Sequence, residues 1–385
     1  VADDALMRQH QVLAERMARR GDWPTGAAWV RTAMDALPRH RFAGEKLWQW
    51  DGHAYVPVVR SEQGERWAEL VYAGPDDAAV TQLQDGRPSS SLSCPAVVAG
   101  MLGALDVQPG HRVLELGTGM GWNAALLSWR AGPGQVTSVE TDPGLAAAAA
   151  RRLEAEAEAE AEAEAAGAAV LVEVGDGQAG WPPGAPYDRV IATYAVEETP
   201  WAWVEQTRPE GRIVLPWGHL GHVALTVAGD GRSASGPVVG LAQFMPARGI
   251  TAPRQTFAEV RGSRAAQDER TTGRALAPLA DEISLRFALR VALPEVRTIT
   301  ALDEDGHNAW LTDGSSWATF SAQANGPALV HQGGLRRLAD ELEQACDQWM
   351  DLGRPRPGDY GLTVTATAQH VWCHDPHTGP RWPVT

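Results

Sequence analysis

Val113-Leu114-Glu115-Leu116-Gly117-Thr118-Gly119-Met120-Gly121 is the stretch from which the rest of the chain can be read. An apolar β-type run breaks into three alternate glycines, and a helical pattern starts at Trp122. Glycine admits positive φ and lets the backbone approach a ligand closely, while the start of the following helix presents N–H donors with no partner in the helix. A strand, turn and helix of this kind cradles a ligand. Its spacing is G-x-G-x-G rather than the G-x-G-x-x-G of dinucleotide folds, and taken alone it also fits a tight β-to-α turn.

Working outward, apolar runs alternate with helical ones from Ser89 to about Gly249, the runs covering 112–116, 135–140, 168–174, 189–193 and 212–216. Such alternation predicts a parallel sheet covered by helices. The chain of 385 residues is longer than one core usually grows, and its flanks differ in texture. Residues 1–88 mix helical patterning with tryptophan-rich segments (Trp48, Trp50, Trp67) and end in the turn former Asp85-Gly86-Arg87-Pro88, which reads as an N-terminal cap. Residues 251–385 carry a predicted helix over 335–350 and predicted strands over 285–291, 309–320 and 360–372, a separate α+β domain. The catalytic layer then occupies 89–250. Between its second and third strands, 154–165 is a Glu-Ala repeat. Period-two alternation suggests a strand, but both residues are strong helix formers and Ala packs poorly on a sheet, so the propensity predicts a solvated helix.

Composition narrows the function classes. With 44% hydrophobic residues and no run of about 18 apolar residues, the sequence has no predicted membrane span. A net charge of −15 disfavours nucleic acid, since phosphate binding needs cations to displace counterions. The first twenty residues are amphipathic and charged, without the apolar core of a secretory signal. Cys94, Cys346 and Cys373 are odd in number and widely spaced, which argues against a disulfide framework and for a cytoplasmic protein. His370, Cys373, His374 and His377 tempt a zinc reading, but an alternating strand running into a Pro turn sends them to different faces, so no metal is expected.

Two acids follow the glycine turn at successive predicted strand ends. Glu140 closes the second run, where two acceptor oxygens match the vicinal hydroxyls of a ribose. Gly175-Asp176-Gly177 closes the third, placing an acceptor between two flexible residues, suited to an exocyclic amine such as that of adenine.

The order of motifs Leu37-Pro38-Arg39-His40-Arg41-Phe42, Ser91-Leu92-Ser93-Cys94-Pro95, Leu114-Glu115-Leu116-Gly117-Thr118-Gly119, Gly175-Asp176-Gly177, Ala185-Pro186-Tyr187-Asp188 and Arg208-Pro209-Glu210-Gly211-Arg212 resembles the protein L-isoaspartate O-methyltransferase family over roughly residues 30 to 250. The resemblance implies an α/β class I methyltransferase, a Rossmann-like sheet, binding S-adenosyl-L-methionine and releasing S-adenosyl-L-homocysteine. It implies that Glu115, Gly117, Thr118, Gly119, Gly121, Glu140, Asp176 and Gly177 hold the cofactor, that Leu92, Ser93 and Cys94 meet the substrate, and that Ser93 lies beside the methyl acceptor. Cys94 departs from the usual Gln or Ala. A further departure is the long segment after Phe244-Met245-Pro246, near which the repair enzymes of that family soon end. It is similar to extensions in actinobacterial members that modify ribosomally made peptides such as lanthipeptides and graspetides, and implies a peptide precursor, macrocyclised or linear, as partner. General isoaspartate repair and a non-catalytic cofactor-binding protein are the competing readings.

Overall fold

The computed structural model describes residues 2–162, 169–218, 221–247, 255–324 and 326–384. The chain divides into two compact units, Val1–Ala247 with Leu362–Gln369, and Arg248–Gly361 with His370–Thr385.

The first unit is built on a parallel sheet. Val113–Leu116 pairs in parallel with Val136–Glu140 on one side and with Tyr187–Ala192 on the other, and Val170–Val174 extends the first side. On the far side Thr207–Trp217 adds a parallel strand, followed by the antiparallel Gly221–Val227 and Ser233–Gly240. Every residue of Val113–Leu116 and Tyr187–Ala192 is buried, as expected of parallel strands covered on both faces. The predicted strands are therefore present, shifted by a few residues at their ends; of the run 168–174, Ala168 lies outside the described residues.

The N-terminal part carries a four-stranded antiparallel sheet, with Tyr55–Val59, Lys46–Trp50, Ala79–Gln84 and Arg87–Leu92 in that spatial order. The boundary placed after residue 88 falls inside its last hairpin. Asp85 (φ 51°) and Gly86 (φ 73°) are both left-handed, the two-residue turn that joins twisted antiparallel strands, so the turn former closes a hairpin and does not separate domains. Nor does the predicted cap have a core of its own. Leu6 and Met17 of the helix Asp3–Arg20, with Leu37, Phe42 and Trp67, belong to one apolar cluster with Leu102, Val113 and Leu126. Leu362–Gln369 also belongs here, the Thr363 hydroxyl lying 2.7 Å from that of Ser235, and Gln369 Nε2 donating to Thr199 O at 2.7 Å.

The Glu-Ala repeat is helical through Glu162, within the helix Pro143–Glu162; its last residues, 163–165, lie outside the described residues. Propensity wins over the alternating pattern.

The second unit has a five-stranded antiparallel sheet in the order Asp268–Thr272, Gly326–Gly333, Trp317–Gln323, Gly306–Thr312, Arg297–Asp303. The helix Leu338–Asp351 packs on it and in turn supports Ile283–Ala292. The predicted strand over 285–291 is thus a helix. Its apolar residues Leu285, Ala288 and Leu289 follow helical spacing, and Glu282 caps its start by accepting from Ser284 N–H at 3.2 Å. The predicted strand over 309–320 is two, broken where Asp313 Oδ1 accepts from the N–H groups of Ser315 and Ser316. Trp317, Trp349 and Trp372 are buried and serve as core. Among the described residues no helix is long and apolar enough to cross a membrane.

Candidate active site

The strand ends Leu116, Glu140, Val174 and Ala192 lie at one edge of the parallel sheet, where the loops that follow them gather. Gly117, Gly119 and Gly121 all have positive φ, at 97°, 53° and 88°. At Gly117 a side chain is excluded twice over: a Cβ there would stand 2.4 Å from Thr193 Oγ1, and the Thr193 hydroxyl is held in place by donating to Gly117 O at 2.6 Å. Gly121 is the N-cap of the helix Trp122–Ala131, and no side chain caps that helix, so its first N–H groups face the turn.

Beneath the turn runs a buried polar chain. Glu115, fully buried, accepts from Asn123 Nδ2 at 2.8 Å and from the Ser138 hydroxyl. Because Ser138 spends its proton on Glu115, Thr118 donates to Ser138 at 2.6 Å. Burial pushes the Glu115 carboxyl up to about 7, against the pull of its two donors, with the Glu140 carboxylate adding to the rise. Thr118 and Glu115 therefore spend their side chains on the turn's foundation, and what they offer a ligand is backbone position. Asn123 and Ser138 were not singled out in the sequence, although a serine inside a run of buried valines is a visible anomaly.

Glu140 is 6% exposed. Its Oε2 accepts from Gly119 N–H at 2.9 Å and its Oε1 from Asp142 N–H at 3.1 Å, so the acid ties the second strand to the glycine turn while each oxygen keeps a lone pair for a hydroxyl. Asp176 is exposed, with Oδ1 accepting from Gln178 N–H at 2.9 Å. Gly177 is buried, and its carbonyl accepts from the buried Trp203 indole at 2.8 Å.

Ser93 stands just after the strand Arg87–Leu92, which passes the turn: Ser90 Oγ lies 3.7 Å from where a Gly119 Cβ would be. The carbonyls of Leu92 and Ser93 are clamped by one guanidinium nitrogen of Arg39, at 3.2 and 3.0 Å. Arg39 is 1% exposed; burial pulls it down to about 10, which leaves it charged at neutral pH. Cys94 begins the helix Pro95–Leu105 and its thiol donates to Asp76 O at 3.0 Å; burial pushes that thiol up, away from reactivity. Two other motifs are architectural. Asp188 accepts from Arg112 N–H at 2.6 Å and pairs with Arg208, joining the chain at the opposite ends of the central strands.

Three glycines at positive φ, one of them with no room for a Cβ, a helix start without a cap, and two acids at adjacent strand ends fit an adenosyl group carrying a short zwitterionic tail. This arrangement defines a class I S-adenosylmethionine-dependent methyltransferase. A solved protein-L-isoaspartate O-methyltransferase has the same fold, with a TM-score of 0.52 at 20% identity over 95% of this chain and 100% of its own. The family model for protein-L-isoaspartate(D-aspartate) O-methyltransferase matches residues 25–234, and the chain belongs to that family. A protein-L-isoaspartate O-methyltransferase of Methanopyrus kandleri is 33% identical over 217 residues, 56% of this chain and 80% of that protein. One from Pyrococcus horikoshii is 42% identical over 139 residues; there the chain spans 59% of the relative's length.

Proposed function

We propose that this methyltransferase esterifies an aspartyl or isoaspartyl carboxylate of a ribosomally made peptide precursor in the cytoplasm, and that its second unit selects the peptide. The observation that carries this reading is a cavity of about 720 Å³ in the second unit, lined by Arg274, Leu279, Leu285, Cys346, Trp349 and Met350 among others. It lies wholly outside the residues that match the family model. Its lining mixes apolar groups with the charged Arg274, Asp281, Glu282, Glu343, Asp347 and Arg354, and a pocket of that size and mixed character suits peptide side chains. The three cysteines are unpaired, which agrees with a reducing compartment.

S-adenosylmethionine supplies an electrophilic methyl group. The acceptor carboxylate is ionised at neutral pH, so no strong base is required and positioning dominates. Ser93, anchored through its carbonyl by Arg39, would donate its hydroxyl proton to one carboxylate oxygen and leave the other to take the methyl group. Glu115, Thr118 and Ser138 would hold the turn rigid, Glu140 would take the ribose, Asp176 and Gly177 the adenine, and Leu92 and Cys94 the wall of the acceptor pocket. On the ester, the following backbone nitrogen attacks the side-chain carbonyl, loses its proton and expels methanol, which closes a succinimide; water then opens it to aspartate or isoaspartate.

General isoaspartate repair is the second reading. It is favoured by the fold likeness, which runs through most of the second unit as well as the first. A mass-spectrometric time course decides between them. A short acidic peptide encoded beside the enzyme should gain about 14 Da, fall to about 18 Da below its starting mass as the ring closes, and return to that mass as water opens the ring; its methyl gain should be faster than that of an unrelated isoaspartyl hexapeptide. Ser93→Ala should slow methyl addition about 10- to 100-fold with cofactor affinity nearly intact. Equal rates on the two peptides would favour repair.

A further inference from the structure

Tyr194 follows the strand Tyr187–Ala192 and lies against both turns that the sequence singles out. Its ring edge is 3.0 Å from the position of a Gly117 Cβ, and its hydroxyl is 2.5 Å from that of a Gly177 Cβ. Gly177 thus lacks a side chain because the phenol occupies that space. The ring packs edge-on to Trp203, with centroids 6.2 Å apart, and Trp203 is itself tied to Gly177 O. So held, the hydroxyl is sealed from solvent and has no hydrogen-bond partner. A buried hydroxyl without a partner destabilises the fold, and such a group calls for a reason. Burial, with the carboxylates of Asp176 and then Glu140 adding to it, holds the phenol well above its ordinary range, so it stays protonated and is a donor throughout the working pH.

The chemistry of the adenosyl group supplies a use for that donor. Ribose hydroxyls and the adenine amine are served by the acceptors Glu140 and Asp176. Carboxylates only accept, so neither can meet the ring nitrogens of adenine, which also accept. We infer that Tyr194 is a positioning residue for the cofactor, its hydroxyl donating to a ring nitrogen of the adenine and so reading the base where the two acids cannot. This inference rests on the assignment of the Gly117, Glu140 and Asp176 turns to S-adenosylmethionine.

Tyr194→Phe keeps the ring and removes only the hydroxyl, which makes two readouts of opposite sign. By calorimetry, affinity for S-adenosylhomocysteine should fall about 10-fold. Without ligand, the melting temperature should hold or rise, since an unpartnered buried hydroxyl has been removed. A merely structural tyrosine would lower the melting temperature and leave affinity alone. Three analogues with CH in place of N1, N3 or N7 complete the test: the parent should bind one of them about 10-fold more weakly than the natural product, and Tyr194→Phe should bind that one and the natural product alike. Undiminished affinity of Tyr194→Phe, or discrimination among analogues that is the same in both proteins, would overturn the inference. If the parent binds no S-adenosylhomocysteine while remaining folded, the site assignment beneath it falls instead.

Discussion

The glycine turn of the first unit and the cavity of the second are both concave and lined by polar and apolar groups, yet they are built differently. Around the turn, three backbone positions take positive φ, and Glu115, deep beneath it, has two hydrogen-bond donors but no cation. Around the cavity, charges are matched by charges: Glu343 accepts from Arg270 at 2.8 Å and from Thr272 at 2.6 Å, and Arg274 reaches Asp347 at 2.5 Å. Side chains on the helix Leu338–Asp351 and on and just after the edge strand Asp268–Thr272 do that work. A site shaped by backbone tolerates almost no substitution, whereas a site shaped by side chains can be retuned one residue at a time. Under the proposed function, that difference would separate the part that holds an invariant cofactor from a part free to follow its substrate.

The sharpest way to break the comparison is Gly117→Ala. At φ 97° the new methyl group would be strained, and it would meet a threonine hydroxyl that has nowhere to go because it is bonded to the same turn. Affinity for S-adenosylhomocysteine should fall by roughly 100-fold or more, with a loss of stability on the order of 2 kcal/mol. Calorimetric titration beside thermal melting measures both. Retained affinity would mean that the turn's geometry is not what holds the ligand.

Glu115 tests the foundation by pH. Its folded-state value of about 7 is above its ordinary 4.5, so between those values the folded chain keeps a proton that the unfolded chain has released. Stability therefore falls as pH rises through this window, by on the order of 3 kcal/mol for this one group, and the loss is complete above about pH 7. Glu115→Gln removes the titration and keeps the shape. Its melting temperature should gain on that of the parent between pH 5 and pH 8, by roughly 5 °C. A difference that stays flat with pH would show that the carboxyl is solvated or already paired.

The same contrast explains what could be read from the sequence. Backbone demands leave residue types that stand out, and the glycine turn, Glu140 and Gly175-Asp176-Gly177 were visible for that reason. Tyr194 was not, because one aromatic after an apolar run resembles core, even though the end of a parallel strand is where site residues collect. Arg39 was visible only within a resemblance, since its work on the carbonyls of Leu92 and Ser93 spans a distance that no local pattern encodes. In the second unit 285–291, inside the helix Ile283–Ala292, reads as a strand because its apolar and aromatic residues outweigh a helical spacing that only burial against Leu338–Asp351 makes decisive. Leu362–Gln369 lies far along the chain from the sheet it joins, which local patterning cannot foresee.

The smallest expected effect concerns the cavity, and it must be tested without cutting the chain. Deleting everything after residue 250 would also remove Leu362–Gln369 and the contacts it makes with Ser235 and Thr199, so a failed truncation would report a damaged first unit. Filling the cavity avoids this. Met350 is 39% exposed and Ala275 is exposed, and both line it, so Met350→Trp and Ala275→Trp add bulk where little packing is disturbed. If the second unit selects the peptide, either change should raise KM for the precursor about 5- to 10-fold, while kcat/KM for a short isoaspartyl hexapeptide stays level, because a short peptide has nothing to place in the cavity. The split between the two substrates is the readout; a parallel loss on both would point to a disturbed fold, which thermal melting would register. Unchanged kinetics on the precursor, with the cavity filled and the protein stable, would remove the side-chain-built site from substrate selection and leave general repair as the better account of the backbone-built one.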